Sequence, residues 1–188
     1  MLETQRLILR PFRETDAEDV FEYLNEPAVN CFACMKLHTL EDARAEMRKR
    51  AGEPEYCFAI ELRETGKVIG EIDAHPECVA PDGASPLDTF SPCWMLNRDY
   101  HGKGYAYEAA HAFFDYLFRE KGARRIYAYT EDYNVSSQKL CQRLGMRREG
   151  LFLEFVSFVN DANGEPLYEN TFQYAILKKE WDSGRPIC

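Results

Sequence analysis

Asp99-Tyr100-His101-Gly102-Lys103-Gly104-Tyr105-Ala106 follows a short apolar run, Cys93-Trp94-Met95-Leu96, and opens onto Ala106, Ala110, Phe113 and Leu117. Those four residues sit at offsets of 0, 4, 7 and 11, which puts them on one stripe of a helix. Gly122 closes that helix, and the apolar, aromatic run Ile126-Tyr127-Ala128-Tyr129-Thr130 reads as a strand. A strand, a helix and a strand in succession demand a right-handed crossover and parallel pairing.

The flanking sequence reads as hairpins, which pair antiparallel, so the sheet is mixed. Upstream, Leu7 to Phe12 reads as a strand, and Thr15 to Asp19 as an acidic helix start leading to Val20, Tyr23 and Leu24. A second helix spans Leu40 to Lys49. Cys57 to Leu62 and Val68 to Asp73 form a hairpin around Glu64-Thr65-Gly66-Lys67. Glu77 to Thr89, with Pro81, Asp82, Gly83 and Pro86, reads as a loop. Downstream, Asn134 is placed to cap a short helix carrying Leu140, Cys141 and Leu144, with Gly145 at its end. Phe152 to Val159 and Thr171 to Leu177 read as strands about a turn at Asn163-Gly164. There is no internal repeat and no linker, so residues 1–188 read as one α/β domain.

Composition bounds the function. The 188 residues carry 23 Lys plus Arg against 32 Asp plus Glu, a net charge of −9, and 45% are hydrophobic. A chain of this size buries about 70% of its extended surface, enough for a real core. The acidic balance argues against nucleic-acid binding, which needs a concentrated basic face, and favours cationic substrates. The N-terminal residues carry an acid and no apolar signal core, and no long apolar run occurs, so the expectation is a cytoplasmic protein with no membrane partner. Seven scattered cysteines, an odd number, read as reduced thiols. Cys31 and Cys34 have metal-hairpin spacing, but no second pair completes a four-ligand site, so no metal is expected.

The Gly102 to Ala106 loop carries the chemistry. At a strand-to-helix junction, unpaired backbone N–H groups and the positive end of the helix dipole converge, and two glycines allow a bulky anion to approach. The chain lacks Gly-x-x-x-x-Gly-Lys-Ser/Thr, and a dinucleotide fingerprint would need Gly where Tyr107 stands. The ligand is therefore neither a nucleoside triphosphate nor NAD. A Gly-rich turn with nothing bound is the plain alternative.

Four motifs in order resemble one family: Glu3-Thr4-Gln5-Arg6-Leu7-Ile8-Leu9-Arg10-Pro11-Phe12, then Gly102 to Ala109, then Asn134-Val135-Ser136-Ser137 with Leu144-Gly145-Met146, then Glu180-Trp181. Together they resemble the GNAT N-acetyltransferases, specifically the RimJ/RimL branch that acetylates protein N-termini. The resemblance implies a GNAT fold: a mixed, mostly antiparallel sheet of about seven strands with a splayed parallel pair binding acetyl-CoA, flanked by about four helices. It implies that Gly102, Lys103, Gly104, Tyr105 and Ala106 cradle the CoA pyrophosphate, and that Asn134 and Ser137 lie beside the pantetheine and thioester. The sequence departs from the family at Asp99, where the loop usually has Gln or Arg, and at Asn170, where the last hairpin often carries Asp.

Acyl transfer to an amine needs a neutral amine, a stabilised oxyanion and a proton for the departing thiolate. The resemblance assigns the oxyanion to a backbone N–H around Met95 and Leu96. It assigns the thiolate's proton to Ser137, with Tyr133 second. Glu154 ranks first as base, then Glu71, with Asp73 a further candidate; each could equally be a solvated strand carboxylate. The tyrosines Tyr100, Tyr105, Tyr107, Tyr127, Tyr129 and Tyr133 read mainly as packing around the cofactor edge. An α-amine with pKa about 8 costs about 1 kcal/mol to deprotonate at pH 7, against about 4.6 kcal/mol for a Lys-like amine. A weak carboxylate thus suffices for the acceptor that the resemblance implies, a protein or peptide N-terminus; a small cationic amine such as a polyamine or aminoglycoside is the alternative, and a non-catalytic acyl-CoA-binding domain stands behind both. A homodimer is left open.

Overall fold

The computed structural model describes residues 1–51, 55–77 and 87–184. In chain order it contains β1 (Leu2–Glu3), β2 (Leu7–Arg10), α1 (Ala17–Leu24), α2 (Leu40–Arg50), β3 (Cys57–Leu62), β4 (Val68–Glu77), β5 (Thr89–Leu96), α3 (Tyr105–Arg119), β6 (Arg125–Glu131), α4 (Val135–Arg143), β7 (Arg147–Asn160), β8 (Pro166–Leu177) and α5 (Lys178–Ser183). The eight strands form one sheet in the order β1-β2-β3-β4-β5-β6-β8-β7. β5 and β6 pair parallel, and every other pairing whose register is resolved is antiparallel. The expected mixed, mostly antiparallel sheet with one parallel pair is found, with eight strands where about seven were expected. The central part of the expected loop from Glu77 to Thr89 lies outside the described residues.

The backbone groups into two compact units, Met1–Asp73 with Trp94–Ala112, and Ala74–Cys93 with Phe113–Cys188. The first unit holds α1, α2, β1–β3 and β4 as far as Asp73. Thr39 caps α2 by accepting from the Asp42 N–H at 3.1 Å, while Asp42 accepts from the Thr39 N–H at 2.9 Å. Leu7, Leu9, Val20, Leu24, Met47, Ile60, Val68 and Ile69 are fully buried. Each removes an apolar side chain from water at a gain of about 1.5–3 kcal/mol. Gly70 is required where it stands, because a Cβ there would lie 2.3 Å from the Met95 carbonyl oxygen.

In the second unit, β6 pairs with β8 along its whole length, from Arg125↔Leu177 to Glu131↔Thr171. On its other side, the parallel register with β5 covers only Thr89↔Arg125 and Phe90↔Ile126, although β6 runs on to Glu131. The ladder therefore opens after two pairs. α5 packs through Trp181, whose ring lies 5.8 Å from Phe114 and 5.7 Å from Phe118. Its indole N–H donates to Asp115 at 2.7 Å. The neighbouring Glu180 is buried and paired with Arg147, so the Glu180-Trp181 motif is a packing device.

Several elements run beyond their sequence signals. β1 has two residues, too few for a period, and is seen only through its pairing with Leu9 and Ile8. β5 begins at Thr89, with Pro92 inside it weakening the strand signal. β7 begins at Arg147, because Arg147 and Glu149 are satisfied by ion pairs with each other and with Glu180 and Arg125.

Candidate functional site

The glycine loop lies in the first unit. β5 ends at Leu96, and Asn97 caps the following 3-10 turn, its side chain accepting from the Asp99 N–H at 3.1 Å. His101 Nε2 donates to the Leu96 carbonyl at 3.0 Å. Gly102 and Gly104 hold φ of 73° and 84°, left-handed values that an L side chain adopts only at a cost. A Cβ on Gly102 would meet nothing within 4 Å, so that residue borders open space at the start of the fifteen-residue α3. Its first-turn amides and dipole suit a diphosphate, so acetyl-CoA fits the residues present. Tyr105 and Ala106 are half-buried in that turn, and Met95 and Leu96 are buried at the end of β5. The Lys103 ammonium donates to the Asp99 carbonyl at 2.9 Å and sits 5.1 Å over the Tyr100 ring. It thus places a positive charge beside Asp99, the residue that departs from the family pattern.

Glu71, also in this unit, is 4% exposed. It accepts from the Tyr23 hydroxyl at 2.9 Å and from Arg50 at 3.0 Å. Burial, reinforced by Glu71, pushes the Tyr23 hydroxyl well above its ordinary pKa. Burial opposes the Arg50 charge, but Glu71 and Glu46 outweigh it and raise the guanidinium pKa. The Glu71 carboxylate is committed to the buried Arg50 and to Tyr23, so the geometry favours packing for this residue. Asp73 lies on the same strand, in register with Cys57.

The second unit gathers the other candidates. The Asn134 side chain caps α4 by accepting from the Ser137 N–H at 3.1 Å, which fixes Ser137 in the first turn, half-buried. The exposed Tyr133 donates its hydroxyl to Glu169 at 3.1 Å. Glu154 sits where the β7–β8 register shifts between Phe152 and Val156. It has a φ of 47°, the one positive value outside glycine among the described residues. Its N–H donates to Asn170 Oδ1 at 3.0 Å, and Asn170 in turn donates to Asp132 at 2.9 Å. A strained backbone presenting an exposed carboxylate is the kind of outlier that marks a functional position.

Around Glu154 the hairpin exposes Leu151, Phe152, Leu153 and Phe155. Tyr129 lies 5.4 Å from Phe155 and 6.1 Å from Phe152, and 5.5 Å from Tyr127. Tyr100 contacts Tyr105 within the first unit, and Tyr107 instead faces His111. Sequence reasoning missed the Phe152–Phe155 pairing, because side chains three apart share a face only where a bulge breaks the strand alternation. It also missed a role for Asn170, seen in the sequence only as a departure. No group of three or more His, Cys, Asp or Glu suited to a metal occurs among the described residues.

Residues 6–147 match the family described as acetyltransferase (GNAT) domain. The chain is 32% identical over 179 residues to the N-acetyltransferase YnaD of Bacillus subtilis (strain 168), covering 95% of this chain and 98% of that protein. It is also similar to the crystal structure of a GNAT-family acetyltransferase from Bacillus anthracis, 30% identical with a TM-score of 0.79, covering 95% of this chain and 99% of the other. With the glycine loop at the head of α3 and the parallel ladder opening after two pairs, this chain belongs to the GNAT acetyltransferase family, and it is an acyltransferase whose acetyl donor is acetyl-CoA.

Proposed function

We propose that the chain acetylates the α-amino group of a protein or peptide N-terminus, as the RimJ/RimL branch it resembles does. Acetyl-CoA supplies an activated acetyl thioester. In this reading the main-chain amides from Gly102 to Ala106 grip its diphosphate, with Lys103 adding charge, and a backbone N–H near Met95 and Leu96 stabilises the oxyanion. Ser137, fixed by the Asn134 cap, gives the thiolate its proton, and Tyr133 is the second donor. Glu154, exposed on its bulge, takes the proton from the amine directly or through one water. An unassisted carboxylate is sufficient for an α-amine, whose deprotonation at pH 7 costs only about 1 kcal/mol.

The observation that carries the choice of acceptor is the exposed apolar face of Leu151, Phe152, Leu153 and Phe155 flanking Glu154. Exposed apolar surface of this kind suits a chain with side chains of its own, which a polyamine lacks. The test is release of free CoA from acetyl-CoA with three acceptors: a peptide with a free N-terminus, the same peptide Nα-blocked but carrying Lys, and spermidine. Turnover with the first alone is expected, with the acetyl group located on the α-nitrogen by mass spectrometry. A higher kcat/KM for spermidine than for every free peptide would overturn the proposal.

A further inference from the structure

The Glu3 to Phe12 motif has no role in the chemistry above, yet the structure ties it to the glycine loop. Arg6 Nη1 donates to the Lys103 carbonyl at 3.0 Å. Arg6 Nε donates to Glu108 Oε2 at 2.7 Å, and the Arg6 backbone N–H to Glu108 Oε1 at 2.8 Å. The Thr4 hydroxyl donates to the same Oε1 at 2.6 Å. The guanidinium lies 4.4 Å from the centre of the Tyr105 ring, and a Cβ on Gly104 would meet Arg6 Nη2 at 3.4 Å. One side chain thus spans the loop and the first turn of α3.

We infer that Arg6 is a positioning residue for the donor's diphosphate, acting through Lys103 and Glu108. In a planar trans peptide the C=O and the following N–H point in opposite directions. With the Lys103 carbonyl drawn to Arg6, the Gly104 N–H is aimed away from it. With glycine on its C-terminal side that peptide would otherwise be more mobile, and an anion would have to order it at an entropic cost. Arg6 also cancels a charge. Glu108 stands in the first turn of α3, where a free carboxylate would repel a diphosphate. Burial tends to raise its pKa, but hydrogen bonds from Thr4 and Arg6 outweigh that and keep it ionised and paired.

This inference rests on the loop holding acetyl-CoA. The experiment therefore compares acetyl-CoA with S-acetyl-pantetheine, which has the same thioester and no diphosphate. Arg6→Ala is expected to raise KM for acetyl-CoA roughly tenfold, the scale of one charge-assisted hydrogen bond, while kcat holds and kcat/KM for S-acetyl-pantetheine is unchanged. Arg6→Lys keeps the charge against Glu108 but cannot also reach the Lys103 carbonyl, so its KM should fall between the two; it serves also if Arg6→Ala does not fold. An unchanged acetyl-CoA KM in Arg6→Lys, or an equal loss with both donors, overturns the inference. Wild-type protein that fails to bind acetyl-CoA in calorimetry overturns the reading of the loop as well, which separates the two failures.

Discussion

The main-chain N–H of Glu154 donates to the side-chain oxygen of Asn170 at 3.0 Å, and the bond fastens a left-handed residue in the middle of a strand. An L residue pays about 1–2 kcal/mol for that conformation, so neighbouring contacts must hold it. Glu154→Gln should lower kcat about 100-fold with little change in KM for acetyl-CoA, as measured by CoA release. Glu154→Gly should lose activity equally but raise unfolding stability by about 1 kcal/mol in urea, since glycine accepts the same φ freely. Full activity in Glu154→Gln would remove it as the base.

Glu71 should answer differently. Removing one partner from a buried ion pair leaves a stranded charge, so Glu71→Ala should cost about 3–5 kcal/mol of stability. Tyr23→Phe, which loses one hydrogen bond to the same carboxylate, should cost about 1–2 kcal/mol. Both should keep kcat near wild type below their melting range. A stable but inactive Glu71→Ala protein would restore Glu71 to the catalytic roles.

Gly102 and Gly66 form a matched pair, with φ of 73° and 72° and room for a Cβ in both places. Alanine at either should cost about 1–2 kcal/mol of backbone strain. Only Gly102→Ala should weaken acetyl-CoA binding in calorimetry, by about tenfold or more, because its new methyl group enters the anion's approach. Equal affinities in the two variants would argue that the diphosphate lies elsewhere.

Tyr127 and Cys141, like Tyr23, make the fold pH-sensitive at the alkaline end. Burial, then the hydrogen bond to Glu77, pushes the Tyr127 hydroxyl up to about 12, and burial alone pushes the Cys141 thiol up to about 12. Folded values above the unfolded ones mean stability that is complete below about 8.5 for the thiol and about 10 for the phenol, and lost as pH rises through about 12. At the acid end, hydrogen bonds from Arg124 and Arg125 hold Asp88 and Glu149 below the usual carboxylate range, so their stabilisation is lost as pH falls below about 4. Urea melts between pH 3 and 11 should show both flanks. At pH 8 a thiol reagent should label the exposed Cys34 quickly and spare Cys141 until the protein unfolds.

What the sequence revealed depended on whether the cause was local. α3 was legible because Ala110, Phe113 and Leu117 repeat at helical spacing, and all three are fully buried. The turn before α3 was legible because glycines at a strand-to-helix junction mark left-handed backbone, which both Gly102 and Gly104 adopt. The α4 cap was read from Asn134 alone. Glu71 was legible only as a strand carboxylate, because its partners arrive from α1 and α2, 48 and 21 residues away in the chain. Glu154 carried no hint of its backbone, since glutamate has no preference for the left-handed region; its conformation is imposed by Asn170, across the hairpin. Arg6 was visible inside a motif, but its contact with Glu108 spans 102 residues.

β7 lies at the rim of the sheet, a fourteen-residue strand rich in exposed aromatic and aliphatic groups. A straight border of that length would be a template on which further chains could stack into fibrils. Its register breaks three times, and the left-handed kink falls within the middle break. The twist that turns one carboxylate outward therefore also interrupts the straight, even margin that such stacking would need.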